Sequence, residues 1–317
     1  MSEEDFKTWT RRVTPKEGDL VFSYEATLGK YALIPADFRC CLGRRLALIR
    51  SKNNLISTEW LFYYFRTPQW DRFIKNHIVH GSTVDRISVD EFANYPIPCY
   101  SKDAQNRMIS VLKGLDSKMR INSLINDNLQ QLAMDIFMHF FFKKSPNGLL
   151  GDIIVENKKS RIQVGEMKGK SGAYPFFTSG KAILRANSPL IEGRNVFLNT
   201  GGNADVKFYV GECSYSTDTW SITGNGDLSD YLYLHLLLIK PELDRKFFKG
   251  TGLKHLQKDL LRMREIYIPS ENEIASFNST VGPLFDRISA NLKENSELES
   301  LRNYLLPLLM SGQAALN

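Results

Sequence analysis

The stretch Asp103–Phe142, DAQNRMISVLKGLDSKMRINSLINDNLQQLAMDIFMHFFF, decides how this chain is built. Its apolar residues Leu112, Leu115, Met119, Ile125, Leu129, Leu132 and Ile136 recur at steps of mostly three and four. That spacing is the seam of a helix that packs on another helix. Asn122 interrupts the line, and a polar residue in such a seam lowers stability while fixing register. A second stretch repeats the pattern: Glu271–Met310, ENEIASFNSTVGPLFDRISANLKENSELESLRNYLLPLLM. Here Leu284, Ile288, Leu292, Asn295, Leu298, Leu301, Leu305 and Leu308 fall in line, again with one asparagine. Ser270 and Glu273 give the second arm a capping-box start, and Ser101 is the matching N-cap of the first. Gly114 and Pro283 predict a kink near the start of each arm. About 39 residues of helix reach roughly 58 Å at 1.5 Å per residue, more than a small core needs. The arms are therefore expected to pair with each other as an antiparallel coiled coil.

Outward from the arms, the chain repeats itself. Ile97-Pro98 precedes the first arm and Ile268-Pro269 the second, an offset of 171 residues. Each pair lies sixteen residues after a glycine, Gly81 or Gly252. Such self-similarity marks a tandem architecture. The expected fold class is α+β: two mixed α/β globular domains joined by long helices that pair. The boundaries fall at 1–100 for the first domain, 101–145 for the first arm with its KKSPNG linker, 146–269 for the second domain and 270–317 for the second arm.

At 317 residues, 43% hydrophobic and 24% charged, the chain has material for two real cores. Its net charge of +6 suits a polyanionic partner. Cys40, Cys41, Cys99 and Cys213 lack metal-ligand spacing and read as free thiols of a reducing cytosol. The N-terminus is acidic and polar, unlike a signal peptide. The longest apolar run, Tyr231–Ile239, is broken by His235 and far too short for a bilayer, so no membrane is expected.

Catalytic patterns fail on inspection. Gly165–Ser171 ends like a phosphate-binding loop, but its glycines are too close together. Thr223-Gly224-Asn225-Gly226 lacks the third glycine of a dinucleotide fingerprint. Pro241–Lys246 resembles a nuclease carboxylate–lysine set without an upstream acid. The five histidines form no ligand pair. The reading is of a chain with no catalytic residue, metal or cofactor of its own, a reader of its partner.

The reading features are loops. Lys158, Lys159, Arg161, Lys168, Lys170 and Lys181 are placed to neutralise phosphates, which positions a protein on DNA without specifying sequence. Arg44 and Arg45 lie in an arginine-rich stretch without an acid, and Arg86 closes the polar loop that starts at His80. Thr178, Ser179, Asn199, Asn203, Tyr215, Ser216 and Thr219 are of the types that contact base edges and phosphates. Ser82, Thr83, Thr251 and Lys254 lie beside glycines, where a backbone can approach closely.

Several segments together resemble the specificity subunits of Type I restriction-modification systems. They are residues 2–12, Pro15–Ser23, Glu25–Gly29, Tyr174–Gly180, Ser216–Trp220, both Ile-Pro boundaries and the terminal Leu301–Gly312. The resemblance covers essentially the whole chain. It implies two target-recognition domains, each followed by a long helix, the helices antiparallel. It implies double-stranded DNA as ligand, two methyltransferase (modification) subunits docked on the arms, and restriction/translocase subunits beyond them. S-adenosylmethionine, ATP and Mg would sit on those partners, in the cytoplasm. In the family, part of the first recognition domain precedes the segment that residues 2–29 resemble, so the resemblance implies a first domain shortened at its N-terminus. Two other classes remain open: a coiled-coil scaffold with protein-binding heads, separated by salt-dependent duplex binding, and a stand-alone methyltransferase, separated by assaying the isolated chain.

Overall fold

A computed structural model describes residues 1–52 and 55–314; the last three residues of the second-arm segment lie outside the described residues. The chain folds into two compact units, Met1–Arg120 with Ser296–Asn317, and Ile121–Asn295. Each arm is one helix, Lys102–Phe141 and Glu271–Met310, shared between both units. Both helices run unbroken through Gly114 and Pro283, where kinks were expected. Pro283 and Ser279, four residues before it, lie on the exposed face, where water can bond the carbonyl that proline leaves free. Ser101 caps the first helix through the Ala104 N–H. Glu273 folds back onto the Ser270 N–H at 3.0 Å and Oγ at 2.9 Å. The Ser270 backbone, the Tyr267 hydroxyl and the Lys144 ammonium hold its carboxyl down at about 2.

In the first unit, strand Leu20–Ser23 lies between Tyr31–Leu33 and Leu46–Ile49, all antiparallel. Helices Thr58–Tyr64 and Pro68–Lys75 are capped by Ser57 and Thr67. They pack Trp60, Phe65 and Trp70 onto Leu20. A hairpin, Ile78–Val79 with Arg86–Ile87, and a short helix, Val89–Phe92, follow. From the arms, Met108, Ile109 and Leu112 share this core with Leu306, Leu309 and Met310. The start of one helix therefore meets the end of the other, as antiparallel pairing requires. Leu301 is 44% exposed. Arg302 takes its expected place, bonding Asp116 at 2.9 Å, a carboxylate that also accepts from the Tyr63 hydroxyl.

The second unit repeats the plan. Its sheet runs Val206–Val210, Arg194–Asn199, Thr219–Gly224, Ile154–Glu156, wholly antiparallel. Helix Ser229–Leu238, almost entirely buried, packs across it. A π-helical turn at Leu243–Phe247, a hairpin of Phe248–Lys249 with His255–Leu256, and helix Lys258–Arg262 complete the echo. The hairpins correct one pairing made from spacing alone. A Cβ at Gly81 would stand 2.4 Å from the Val84 carbonyl oxygen, and one at Gly250 would stand 2.5 Å from that of Leu253. Gly252 sits in open space. Gly250, not Gly252, is thus the counterpart of Gly81.

Two additions distinguish this unit. A second sheet, Ser214–Tyr215, Tyr174–Phe177 and Leu184–Ala186, stacks Phe177 on Phe197 at 4.2 Å. Strand Gly148–Leu149 and helix Leu150–Ile153 lead into the fourth strand of the main sheet. The arms here bury Ala133, Phe137 and Phe141 against Phe277 and Val281. Leu132 is 47% exposed, and Ala133 holds the seam in its place. The two asparagines that interrupt the seams meet: Asn122 donates to Asn295 at 2.9 Å, and Asn291 donates to Asn126 at 2.7 Å.

Candidate nucleic-acid interface

In the second unit four loops are tied into one surface by polar groups. The Asp218 carbonyl accepts from the Ser179 hydroxyl and, at 3.0 Å, from the Thr200 hydroxyl. The Gly202 N–H donates to the Lys254 carbonyl, and Gly201 bridges His255, which pins the 250–254 loop to the 200–203 turn. Lys207 donates to the carbonyls of Thr178 at 2.8 Å and Gly180 at 2.7 Å, fixing the turn that presents Lys181. The Tyr215 hydroxyl bonds the Lys158 carbonyl, and the Thr217 N–H bonds that of Ile162, so the 158–162 loop is anchored at both ends.

The structure gives five of the residues expected to touch DNA bonds within the chain. Thr178, Asn199, Tyr215, Ser216 and Thr219 are buried. Thr178 closes its own turn on the Ala182 carbonyl. Asn199 spans the glycine-rich turn, donating to the carbonyls of Gly201 and Asn203 and accepting from the Asp205 N–H. Ser216 and Thr219 bond each other at 2.9 Å, and burial lifts the Tyr215 phenol above its usual range. A buried polar group is worth keeping only when it is bonded, and these spend their bonds on holding loops. Their bonds hold the loops of the surface in place. Sequence types cannot separate this role from contact with DNA, because serine and threonine serve both.

The outward residues are Lys158, Lys159, Arg161, Lys168, Lys170 and Lys181, all exposed, together with Asn203 and Thr251. None of the six cations forms an ion pair with a described residue. Lys254 is half-buried and lies 3.6 Å from Asp244. Sequence reasoning missed Lys207; nothing local marks a strand lysine as a loop staple.

The first unit offers less. Glu25 bridges Arg86, the Ala26 N–H donates to the Asp85 carbonyl, and the Tyr24 hydroxyl bonds the Arg44 carbonyl. Arg44, Arg45 and Arg86 are thereby gathered around residues 24–26, with Ser82 and Thr83 exposed in the hairpin loop. Arg45 is partly neutralised by Glu25 at 3.5 Å.

Among the described residues, no cluster of three or more His, Cys, Asp or Glu is placed to hold a metal. Glu242 and Asp244, the nuclease-like acids, pair with Arg264 at 2.8 Å and with Lys254. His235 is buried and neutral, pushed down to about 4 by burial and by Arg264. No described helix is long and apolar enough to cross a membrane.

Known proteins are similar to this chain in sequence and in fold. The sequence model described as the Type I restriction modification DNA specificity domain matches residues 4–131 and 147–299. The Type I restriction enzyme MjaIX specificity subunit of Methanocaldococcus jannaschii is 22% identical, covering 99% of this chain and 81% of its own length. The HindI specificity subunit of Haemophilus influenzae is 23% identical, covering 94% of this chain and 87% of its own. The crystal structure of the Type I restriction-modification S subunit from M. genitalium shares the fold. Its TM-score is 0.59 at 16% identity, over 93% of this chain and 83% of that one.

Proposed function

The chain belongs to the family of Type I restriction modification DNA specificity domains, matched in both its halves, and on that premise we propose how its parts divide the work. It is a specificity subunit, and catalysis belongs to its partner subunits. Residues 1–100 and 146–269 act as two recognition domains, each reading one half of a bipartite duplex target in the cytoplasm. Methyltransferase subunits carrying S-adenosylmethionine modify an adenine that they flip from the stack. Restriction subunits use ATP and Mg to translocate and cut unmodified DNA. The observation that carries this reading is the set of six exposed, unpaired cations, of which Lys158, Lys159, Arg161 and Lys181 sit on loops held by a buried polar network. Such a surface suits phosphates, and its rigidity suits sequence reading. The scaffold alternative accounts for the arms and leaves the cation set unexplained.

Each arm runs from one unit into the other, so we assign to arm length the spacing of the two half-sites, as dimer geometry sets operator spacing. Removing seven residues from each arm shortens each by about 10 Å, which is roughly three base pairs at 3.4 Å each. Targets selected from a randomised library by the assembled methyltransferase are expected to keep their half-site sequences and lose about three base pairs of spacer. Selected targets with the original spacing would refute the ruler.

A further inference from the structure

The turn that follows strand Leu20–Ser23 and the turn that follows strand Arg194–Asn199 are held by the same set of main-chain bonds. Ser23 stands opposite Leu46 as Asn199 stands opposite Thr219. One residue on, the Tyr24 N–H donates to the Arg45 carbonyl, and the Tyr24 carbonyl accepts from the Ile87 N–H. Thr200 does the same with Asp218 and Leu256. Glu25 bridges Arg86, and Gly201 bridges His255. The Ala26 N–H donates to the Asp85 carbonyl at 3.1 Å, and the Gly202 N–H to that of Lys254 at 2.9 Å. Each of these acceptors stands four residues after its hairpin glycine, Gly81 or Gly250. The Ser23 hydroxyl and the Asn199 amide oxygen close the turns, accepting from the Lys30 N–H at 3.0 Å and the Asp205 N–H at 2.7 Å.

This frame also sets one unusual backbone angle. Ala26 and Gly202 both take positive φ, 64° and 83°. Side-chain-bearing residues seldom enter that region, so at Ala26 the surrounding bonds impose what the residue does not favour. The next residue, Thr27 or Asn203, is exposed, and neither side chain is hydrogen-bonded to a described residue. The other polar side chains of the second turn are spent. Asn199 and Thr200 bond neighbouring carbonyls, and Asp205 pairs with Lys240 and Lys207. The Asn203 carbonyl accepts from Asn199, and the Ala204 N–H donates to Asp244 at 3.0 Å, so the main chain is tied on both sides of the free amide. No atom lies within 4 Å of where a Cβ on Gly202 would stand, which leaves the backbone beside Asn203 open to close approach.

Given that residues 146–269 form a recognition domain, on which this assignment rests, we propose that Asn203 is a base-reading residue and takes an adenine in the major groove. A primary amide carries both a donor and an acceptor, so it can donate to adenine N7 and accept from N6 at once. The cations around it bond phosphates whatever the sequence. The tied turn fixes the backbone of Asn203 and leaves only its side chain to be ordered on the base. The same frame carries threonine in one unit and asparagine in the other. Presentation is thus kept while the reading group changes, as two different half-sites require.

The test uses the chain assembled with its methyltransferase subunits and a randomised duplex library. The unaltered assembly is expected to select one A·T pair in the second unit's half-site that Asn203→Ala no longer selects, every other position staying as it was. Binding of Asn203→Ala to the original target is expected to fall by about tenfold or more, with an unchanged Tm, since the side chain is exposed. Asn203→Thr, which installs the first unit's group, is expected to lose the adenine in the same way. A second measurement leaves the protein unaltered and replaces that adenine with 7-deazaadenine, which lacks N7. The unaltered assembly is expected to lose roughly fivefold in affinity, and Asn203→Ala nothing further. Selection of the same adenine by Asn203→Ala, a loss shared equally by all sequences, or an equal 7-deazaadenine penalty in both proteins would each overturn the proposal and leave DNA recognition standing. An unaltered assembly that selects no sequence at all would remove the recognition reading and this assignment with it.

Discussion

The two units share a strand order, a helix laid across the sheet and a glycine-tipped hairpin, yet they spend their charges differently. The second unit carries six unpaired cations, four of them on anchored loops; the first has arginines around residues 24–26, one already facing Glu25. The second sheet, Tyr174–Ala186 with Ser214–Tyr215, is the reason. It supplies a second apolar layer beneath the loops, and polar residues can be buried there as fasteners. The comparison teaches that a repeated scaffold is not a repeated surface: the common part folds, and the added part presents.

The largest expected effect tests the fasteners between sheet and arm. Arg194 bonds the buried Asp230 at 2.7 and 2.9 Å, Asp286 at 2.6 Å and the Gly282 carbonyl at 3.1 Å. Arg194→Met leaves a carboxylate buried without its partner, at a cost of about 3–5 kcal/mol in denaturant melts. In the first unit another arginine, Arg50, pairs with a buried carboxylate, Asp19, but it is 40% exposed, and Asp19 keeps the Lys16 N–H. Arg50→Met is expected to cost less than half as much. Equal losses would erase the contrast.

Next in size is the surface itself. Replacing Lys158, Lys159, Arg161, Lys168, Lys170 and Lys181 with glutamine is expected to weaken duplex binding by the assembled complex roughly a thousandfold at low salt. The salt slope is expected to flatten by about five. The same change at Arg44, Arg45 and Arg86 is expected to cost on the order of tenfold, since fewer charges are free to release counterions. Comparable losses from both sets would show that the units read DNA with equal weight.

The smallest effect is pH dependence confined to the second unit. Burial and the Arg264 cation depress the His235 pKa from 6.5 to about 4. Between those values the unfolded chain binds a proton that the folded chain refuses. This contribution is therefore intact above pH 6.5 and lost as pH falls towards about 4, at most about 3 kcal/mol at 1.36 kcal/mol per unit. His235→Gln is expected to flatten that part of the stability–pH curve; an unchanged curve would exclude the histidine as its source.

Much of this architecture was legible beforehand where the signal is periodic. Steps of three and four from Leu112 and from Leu284 located both helices to within a residue or two. The Ile-Pro pairs exposed the repeat. Errors came at single positions. Leu132 and Leu301 fit the period and are exposed, because the true seam drifts onto Ala133 and Arg302 over so many turns, as 3.6 residues per turn drifts from a seven-residue repeat. Residue type alone does not tell that Thr178, Asn199, Tyr215, Ser216 and Thr219 are buried and hold loops in place.

The amino-acid sequence by itself determined the tandem plan, the two forty-residue helices and the absence of a recognisable catalytic motif. Each of these is written in spacing between near neighbours or in composition. Only the tertiary structure decided which polar side chains hold loops, which cations face outward, and which strand is left as an edge. Those outcomes depend on contacts such as Tyr215 with Lys158 and Arg194 with Asp286. Residues so far apart in the chain meet only when packing brings them together, so no local pattern records their partnership.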